Sequence, residues 1–205
     1  LAGVSHAFAP ADTQQTDTYY IVAHFHYVLF GCALLGLFAG CYFWWPKIFG
    51  VMYDEFLAKI ACGIIFVGFN TTFLPQFVMG SRGMPRRYWD YDPEFTIYHQ
   101  VSTVGAFILG MSIFISFIGL MWSIKNGKKA PINPWGGTSL EWQAPTPPTL
   151  YNFTSPPVLH ELYNYDDLIE DPNGDGWIRK PKADAAKPEA AADEAKTPGS
   201  EGAAS

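Results

Sequence analysis

Residues Asp17–Leu29 read DTYYIVAHFHYVL. They open an apolar run with no Asp, Glu, Lys or Arg between Thr18 and Trp45, and two histidines, His24 and His26, lie inside it. An imidazole is costly in hydrocarbon, so an intramembrane histidine is a functional candidate by default. The i, i+2 spacing adds geometry. At 3.6 residues per turn the two side chains point about 200° apart, on opposite faces of one helix. A pair gripping a single metal from one helix is expected at i, i+4. Opposite faces suit a helix standing between two separate groups, each taking one axial imidazole. Two haems fit that picture, because histidine is a common axial ligand of haem iron. The competing account is a pair of core histidines bonded to carbonyls of neighbouring helices. Two histidines in one span, flanked by Tyr19, Tyr20, Phe25 and Tyr27, favour the ligand account.

Outward from that stretch the chain reads as membrane. The span Thr18–Trp45 exceeds the ~20 residues that cross ~30 Å of hydrocarbon. Asp17 and Thr18 form its start signal, and Trp44, Trp45 and Pro46 close it as an interfacial belt before Lys47. Gly36 and Gly40 make a GxxxG that lets a neighbouring helix approach. A second span is predicted over Leu57–Met79, kinked by Pro75 near its end, with Asn70, Thr71 and Thr72 bonding between helices. A third runs over Tyr98–Trp122 and ends in Lys125, Lys128 and Lys129. The predicted class is all-α: a polytopic membrane protein, three transmembrane helices of a larger bundle plus an irregular C-terminal tail.

The connection Gly80–Glu94 is rich in Arg82, Arg86 and Arg87, with Tyr88, Trp89 and Tyr91 among Asp90, Asp92 and Glu94. Such arginines are either a cytoplasmic positive-inside mark or a clamp on buried carboxylates, which planar guanidinium groups bind bidentately. Topology weighs between the two. Lysines clustered after the third span favour the cytoplasmic side, which puts the Arg86/Arg87 loop and Asp17 together on the outer side. Arginines there violate positive-inside, as expected if bound anions neutralise them.

Over its 205 residues the chain has a mean hydropathy of +0.05 and a net charge of -6, and that average hides a split. The charge belongs mostly to an acidic stretch beyond Asp166, so it points to no partner. No basic stripe suggests nucleic acid, and no basic n-region with a cleavage pattern suggests a signal peptide. Cys32, Cys41 and Cys62 lack CxxC spacing and are expected to be small buried hydrophobes. Residues 131–180 are expected to form a cytoplasmic extended segment, fixed by its Pro, Gly and Trp residues over 131–157. Asp171–Gly176 (DPNGDG) resembles an EF-hand start, but Lys182 stands where the bidentate glutamate belongs, so a turn is expected. Residues 181–205, rich in Ala, Pro, Glu and Lys, are predicted to be disordered.

The stretch DTYYIVAHFHYVLFG, with GMPRRYWDY at Gly83–Tyr91 and NPWGGTSLEW at Asn133–Trp142, resembles subunit I of the haem–copper terminal oxidases, cytochrome c oxidase in particular. The likeness covers roughly residues 1–155. It implies that residues 1–16 are the end of a preceding helix and a loop, and that 17–130 are a haem-binding three-helix region. His24 then ligates the high-spin haem of the oxygen-reducing centre, which also makes it the catalytic ligand, and His26 the low-spin haem. Arg86 and Arg87 bind the propionates, with Asp12 and Tyr19 also on the cofactor side. The implied cofactors are two haems, of A type, and a copper whose histidine ligands lie on earlier helices, outside this chain. His6, His99 and His160 are not candidates for them. Where the family often has a histidine before the DTYY aspartate, this chain has Thr16, which leaves Asp17 alone as a candidate Mg or Mn ligand.

The resemblance also implies partners: the N-terminal part of subunit I, subunits II and III, cytochrome c as donor, and membrane lipids, with no nucleic acid. The implied place is a bacterial inner membrane, the tail cytoplasmic. Electrons from cytochrome c then reduce oxygen to water with proton pumping, in a complex to which this chain gives the C-terminal quarter to third of subunit I. The rivals are a quinol oxidase, a non-catalytic scaffold of a split subunit, and a b-type cytochrome, whose histidines would sit on different helices across one haem.

Overall fold

Each membrane-length helix begins where a side chain can take up a free amide. Thr18 Oγ1 accepts from the Tyr20 amide (3.2 Å) and Asp54 Oδ1 from the Leu57 amide (2.8 Å). Asp92 does the same for the 3-10 turn Pro93–Phe95 that leads into the last helix. The computed structural model describes residues 1–157, 161, 163–172 and 176–180. Its helices are α1 (Ala2–Ala7), α2 (Ala9–Gln15), α3 (Tyr19–Val28), α4 (Leu35–Phe49), α5 (Glu55–Ser81) and α6 (Thr96–Asn126), with a π-helical turn (Leu29–Leu34) joining α3 to α4. Two short strands, β1 (Leu168–Glu170) and β2 (Trp177–Arg179), pair antiparallel. Among the described residues, Tyr19–Phe49, Glu55–Ser81 and Pro93–Asn126 are long and apolar enough to cross a membrane. The chain is a helical, polytopic membrane fragment.

Lipid is as apolar as leucine, so helices in it associate through close backbone approach and interhelical hydrogen bonds. The α5–α6 pair follows that rule. The buried face of α6 is Ser102, Gly105, Leu109, Ser112, Ser116, Leu120 and Ser123, five small residues and two leucines at helical spacing. A Cβ on Gly105 would come within 2.5 Å of the Thr72 amide nitrogen, and one on Gly68 within 2.7 Å of that of Leu109. Ser102 Oγ donates across to the Thr72 carbonyl (2.8 Å), and Tyr27 OH to Asn70 Oδ1 (2.8 Å). Helix α3 sits equally close to α5, since a Cβ on Gly80 would fall on the Tyr20 backbone. Ile65, Phe69, Phe73 and Leu109 form one buried cluster, against which Tyr27 and Phe30 pack. Met79, Met84 and Phe95 form another, nearer the Arg86 loop, flanked by Tyr19, Tyr88 and Tyr91.

The hairpin order brings loops together at two ends. At one, the Tyr19 amide donates to the Met84 carbonyl and the Arg86 amide to the Asp17 carbonyl, each at 2.9 Å, on either side of a Thr18–Pro85 bridge. At the other, the Met52 amide donates to the Lys128 carbonyl (2.8 Å) and the Ala130 amide to the Gly50 carbonyl (2.9 Å).

Several expectations need correction. Residues 9–15 are helical rather than loop, with Pro10 in the first turn, where its missing donor costs nothing. The first span does not stop at Trp45. It runs to Phe49 and ends at Gly50, whose φ of 70° suits a left-handed C-cap. Trp45 is buried instead of interfacial, its indole N–H donating to Ser123 Oγ at 2.8 Å. The second helix runs Glu55–Ser81, two residues longer at each end than expected, with Pro75 inside it. Of its polar residues, Asn70 bonds across to Tyr27, whereas Thr72 Oγ1 turns back to the Gly68 carbonyl.

Among the described residues nothing approaches Gly36, and Gly40 meets only its own Trp44, so the GxxxG pairs no helices here. Cys32 and Cys62 are exposed and Cys41 half-buried, because they sit on helix faces this chain leaves uncovered. Residues 131–180 are not merely extended. They fold back with a 3-10 turn at Leu140–Trp142 and the β1–β2 hairpin, held by the Asn133 side chain, which bonds both the amide and the carbonyl of Gly137. The Asp171 amide donates to the Gly176 carbonyl at 2.8 Å, while the turn expected at DPNGDG runs through residues outside the described ones. Residues 173–175, His160, Lys182 and the predicted disordered tail 181–205 lie outside the described residues.

Candidate haem-ligand helix

Both histidines lie in one regular α-helical stretch, so their side chains leave it on different sides. His26 turns toward α5 and stacks on Phe73, with ring centroids 4.4 Å apart and planes 16° apart. Its Nδ1 lies 2.8 Å from the Val22 carbonyl. A carbonyl only accepts, so Nδ1 carries the proton and Nε2 keeps its lone pair. A second bond of this kind orients most metal-bound histidines. Phe73 and, at 4.6 Å, Phe25 lie against the ring, and among the described residues Nε2 has no hydrogen-bond partner. An iron-bearing group fits that nitrogen.

His24 faces the other way, toward the N-terminal residues. Its ring stands edge-on to His6 at 4.9 Å, and His6 in turn packs on Tyr20 at 5.4 Å. A Cβ on Gly3 would lie 3.3 Å from His24 Cε1 and 3.8 Å from Nε2. Helix α1 therefore occupies the ligand edge of this ring, and a macrocycle on His24 Nε2 requires α1 to stand off. Both ring nitrogens of His6 are buried without a hydrogen-bond partner among the described residues, and Nδ1 lies 3.6 Å from Asp12 Oδ1. The sequence alone gave no sign of this His6–His24 contact.

The remaining candidates gather at the N-terminal end of α3. The Arg86 guanidinium donates to one oxygen of Asp17 through Nε (3.2 Å) and Nη2 (3.1 Å), so these two predicted residues meet each other. Arg87 is exposed and has φ 60°, a left-handed conformation that costs a non-glycine residue energy and often marks a functional position. Tyr19 OH bonds Tyr88 OH at 3.1 Å, and the Tyr19 ring lies edge-on to His99. Asp12 accepts from the Thr16 hydroxyl at 2.9 Å, so the residue standing in place of the family's histidine bonds back into α2. Helix rise puts His24 and His26 about 8 and 11 Å along the axis from Tyr19, so the cationic loop overhangs the start of the histidine helix. Among the described residues no three His, Cys, Asp or Glu side chains cluster as a metal site.

A residue missed altogether is Lys47. It is 7% exposed, and its ammonium donates to the carbonyls of Ile132 (2.9 Å) and Ala144 (2.8 Å) and to Thr146 Oγ1 (2.8 Å). In sequence it looks like any lysine flanking a span.

The family profile "Cytochrome C and Quinol oxidase polypeptide I" matches residues 1–108. The chain is 47% identical over 153 residues to "Cytochrome c oxidase subunit 1" of Thermostichus vulcanus, covering 75% of this chain and 28% of that protein. It is 48% identical over 157 residues to "Probable cytochrome c oxidase subunit 1-alpha" of Streptomyces coelicolor, covering 75% and 27%. With "Cytochrome c oxidase subunit 1" of Corynebacterium diphtheriae the identity is 47% over 159 residues, covering 76% and 28%. The chain thus spans little more than a quarter of the length of these relatives. Matched over more than half its residues, it belongs to the cytochrome c and quinol oxidase polypeptide I family, the subunit I of haem–copper oxidases.

Proposed function

We propose that this chain supplies one axial ligand to each of two haems in a proton-translocating cytochrome c oxidase: His26 to a low-spin haem and His24 to the high-spin haem of the oxygen-reducing centre. The observation that carries this is the pair of imidazoles leaving one helix in opposite directions, with His26 Nδ1 bonded to Val22 and its Nε2 available. When bound, the haems supply electron transfer and, paired with copper, oxygen reduction. The copper ligands lie outside this chain, so the activity belongs to a complex. That complex would hold the N-terminal part of subunit I, subunits II and III, and cytochrome c as donor.

In this reading Arg86 and Arg87 neutralise haem propionates at the outer side of a bacterial inner membrane, and Lys125, Lys128 and Lys129 mark the cytoplasmic side. Asp12 and Tyr19 border the same region. Both Arg86 bonds fall on Asp17 Oδ1, which leaves Oδ2 as the oxygen that would hold Mg or Mn. Haem A is the proposed type, with the cytochrome c oxidase names of the relatives in support. A quinol oxidase is the second reading, because the matching family includes quinol enzymes. A dinuclear copper centre in the partner subunit would separate the two.

The test is optical, on the complex purified through this chain. Dithionite-reduced minus oxidised spectra should reveal two haems, of which carbon monoxide shifts one. Two haems that both ignore carbon monoxide would point to a b-type cytochrome, and no haem would leave a scaffold.

A further inference from the structure

The chain after α6 does not trail away from the bundle. It crosses the Lys128 end and seats itself against the last turns of α4. The Trp135 indole N–H donates to the Phe43 carbonyl at 2.9 Å, and the Trp142 ring packs edge-on to Phe43 at 5.1 Å. The Lys47 side chain enters from the helix beside Trp142, with Nζ 5.3 Å from the centre of its ring. An ammonium has three protons, and here all three go to neutral oxygens of the crossing segment: Ile132 O, Ala144 O and Thr146 Oγ1. A buried cation adds little net stability over a packed apolar residue, but its removal strands the groups built around it, and in some proteins such groups fix a unique register.

The β1–β2 hairpin is tied to the same segment. The Trp177 amide donates to the Asn133 carbonyl (2.9 Å), Arg179 Nη2 to the Thr138 carbonyl (2.6 Å), and the Trp177 indole lies where a Cβ on Gly136 would meet it at 3.3 Å. We propose that residues 130–147 are a strap locked across this end of the bundle by Lys47, and that β1–β2 rides on the strap as one unit with it. The lock joins the inner end of the histidine-bearing helix to chain that follows the third span.

Hydrogen exchange on the assembled, haem-loaded complex tests this with a readout separate from activity. Lys47→Met keeps the length of the side chain and removes the donors. The amides of Gly137, Trp142, Gln143 and Trp177 should then exchange faster together, on the order of a hundredfold, while α5 and α6 amides keep their rates. Thr146→Val, which removes one acceptor at nearly constant volume, should give about a tenfold effect on the same amides, and it carries the test if Lys47→Met fails to assemble. Strap amides unchanged in the variant that assembles would overturn the lock. Faster strap exchange with Trp177 unmoved would overturn the single unit.

Discussion

His26 and His24 differ in what already holds them, and that difference is testable. His26 donates its Nδ1 proton to the Val22 carbonyl and stacks its ring on Phe73, so the rotamer is fixed before any iron arrives. His24 has only ring contacts, with His6 and the α1 backbone at its free edge. Replacing His26 by Leu should remove the haem that ignores carbon monoxide and keep the one that binds it, and His24→Leu should do the opposite. Difference spectra of the two variants read this directly, and loss of the same band in both would break the assignment. In the proposed site the arginines act on potential rather than ligation. Propionate charge favours ferric iron, so a guanidinium that offsets it raises the midpoint. Arg86→Met or Arg87→Met should lower the haem midpoints by on the order of tens of millivolts. Of the two, Arg86 is the one that also releases Asp17. A redox titration with both variants at wild-type midpoints would remove the clamp from the mechanism.

The helix elements were legible where local chemistry decides them. Asp17 and Thr18 announce the first helix start, and the second and third spans fall within a few residues of Leu57–Met79 and Tyr98–Trp122. What the sequence hid depends on distant partners. Lys47 following two tryptophans and a proline looks the same whether it reaches water or lies buried. Its burial is decided by acceptors 85 to 99 residues further on. The hairpin likewise exists through Asn133 and Thr138, and the exposure of Cys32 and Cys62 reflects which helix faces lack a partner in this chain. The α3–α5 contact carries a prediction of its own. Gly80 lets α5 touch the Tyr20 backbone, one turn before His24, and a methyl there would run into the Tyr20 amide nitrogen, Cα and Cβ. Gly80→Ala should cost about 1–3 kcal/mol and lower the thermal midpoint of the complex. Gly36→Ala, with open space around it in this chain, serves as the comparison.

At the scale of the whole molecule, the two ends carry opposite chemistry, and the number of crossings decides which side each faces. One end holds Asp17, the Arg86/Arg87 loop and the start of α6, tied by the Thr18–Pro85 bridge. The other holds Gly50–Asp54, Lys128 and the strap, tied by the Val51–Lys129 bridge. Three crossings force these ends onto opposite sides of the bilayer. On the proposed topology the charge rule puts the lysine-rich end inside, and the arginine-rich end escapes that rule only if anions neutralise it. Trp89 and Lys128 are both exposed, one at each end, so cysteines there report sidedness. With Cys32, Cys41 and Cys62 replaced by Ala, Trp89→Cys should react with a membrane-impermeant maleimide added to intact spheroplasts, and Lys128→Cys only in inverted vesicles. Reaction of both from one side would mean an even number of crossings between them. The propionate clamp and the inner-side strap would then lose their placement together, because both rest on the same three spans.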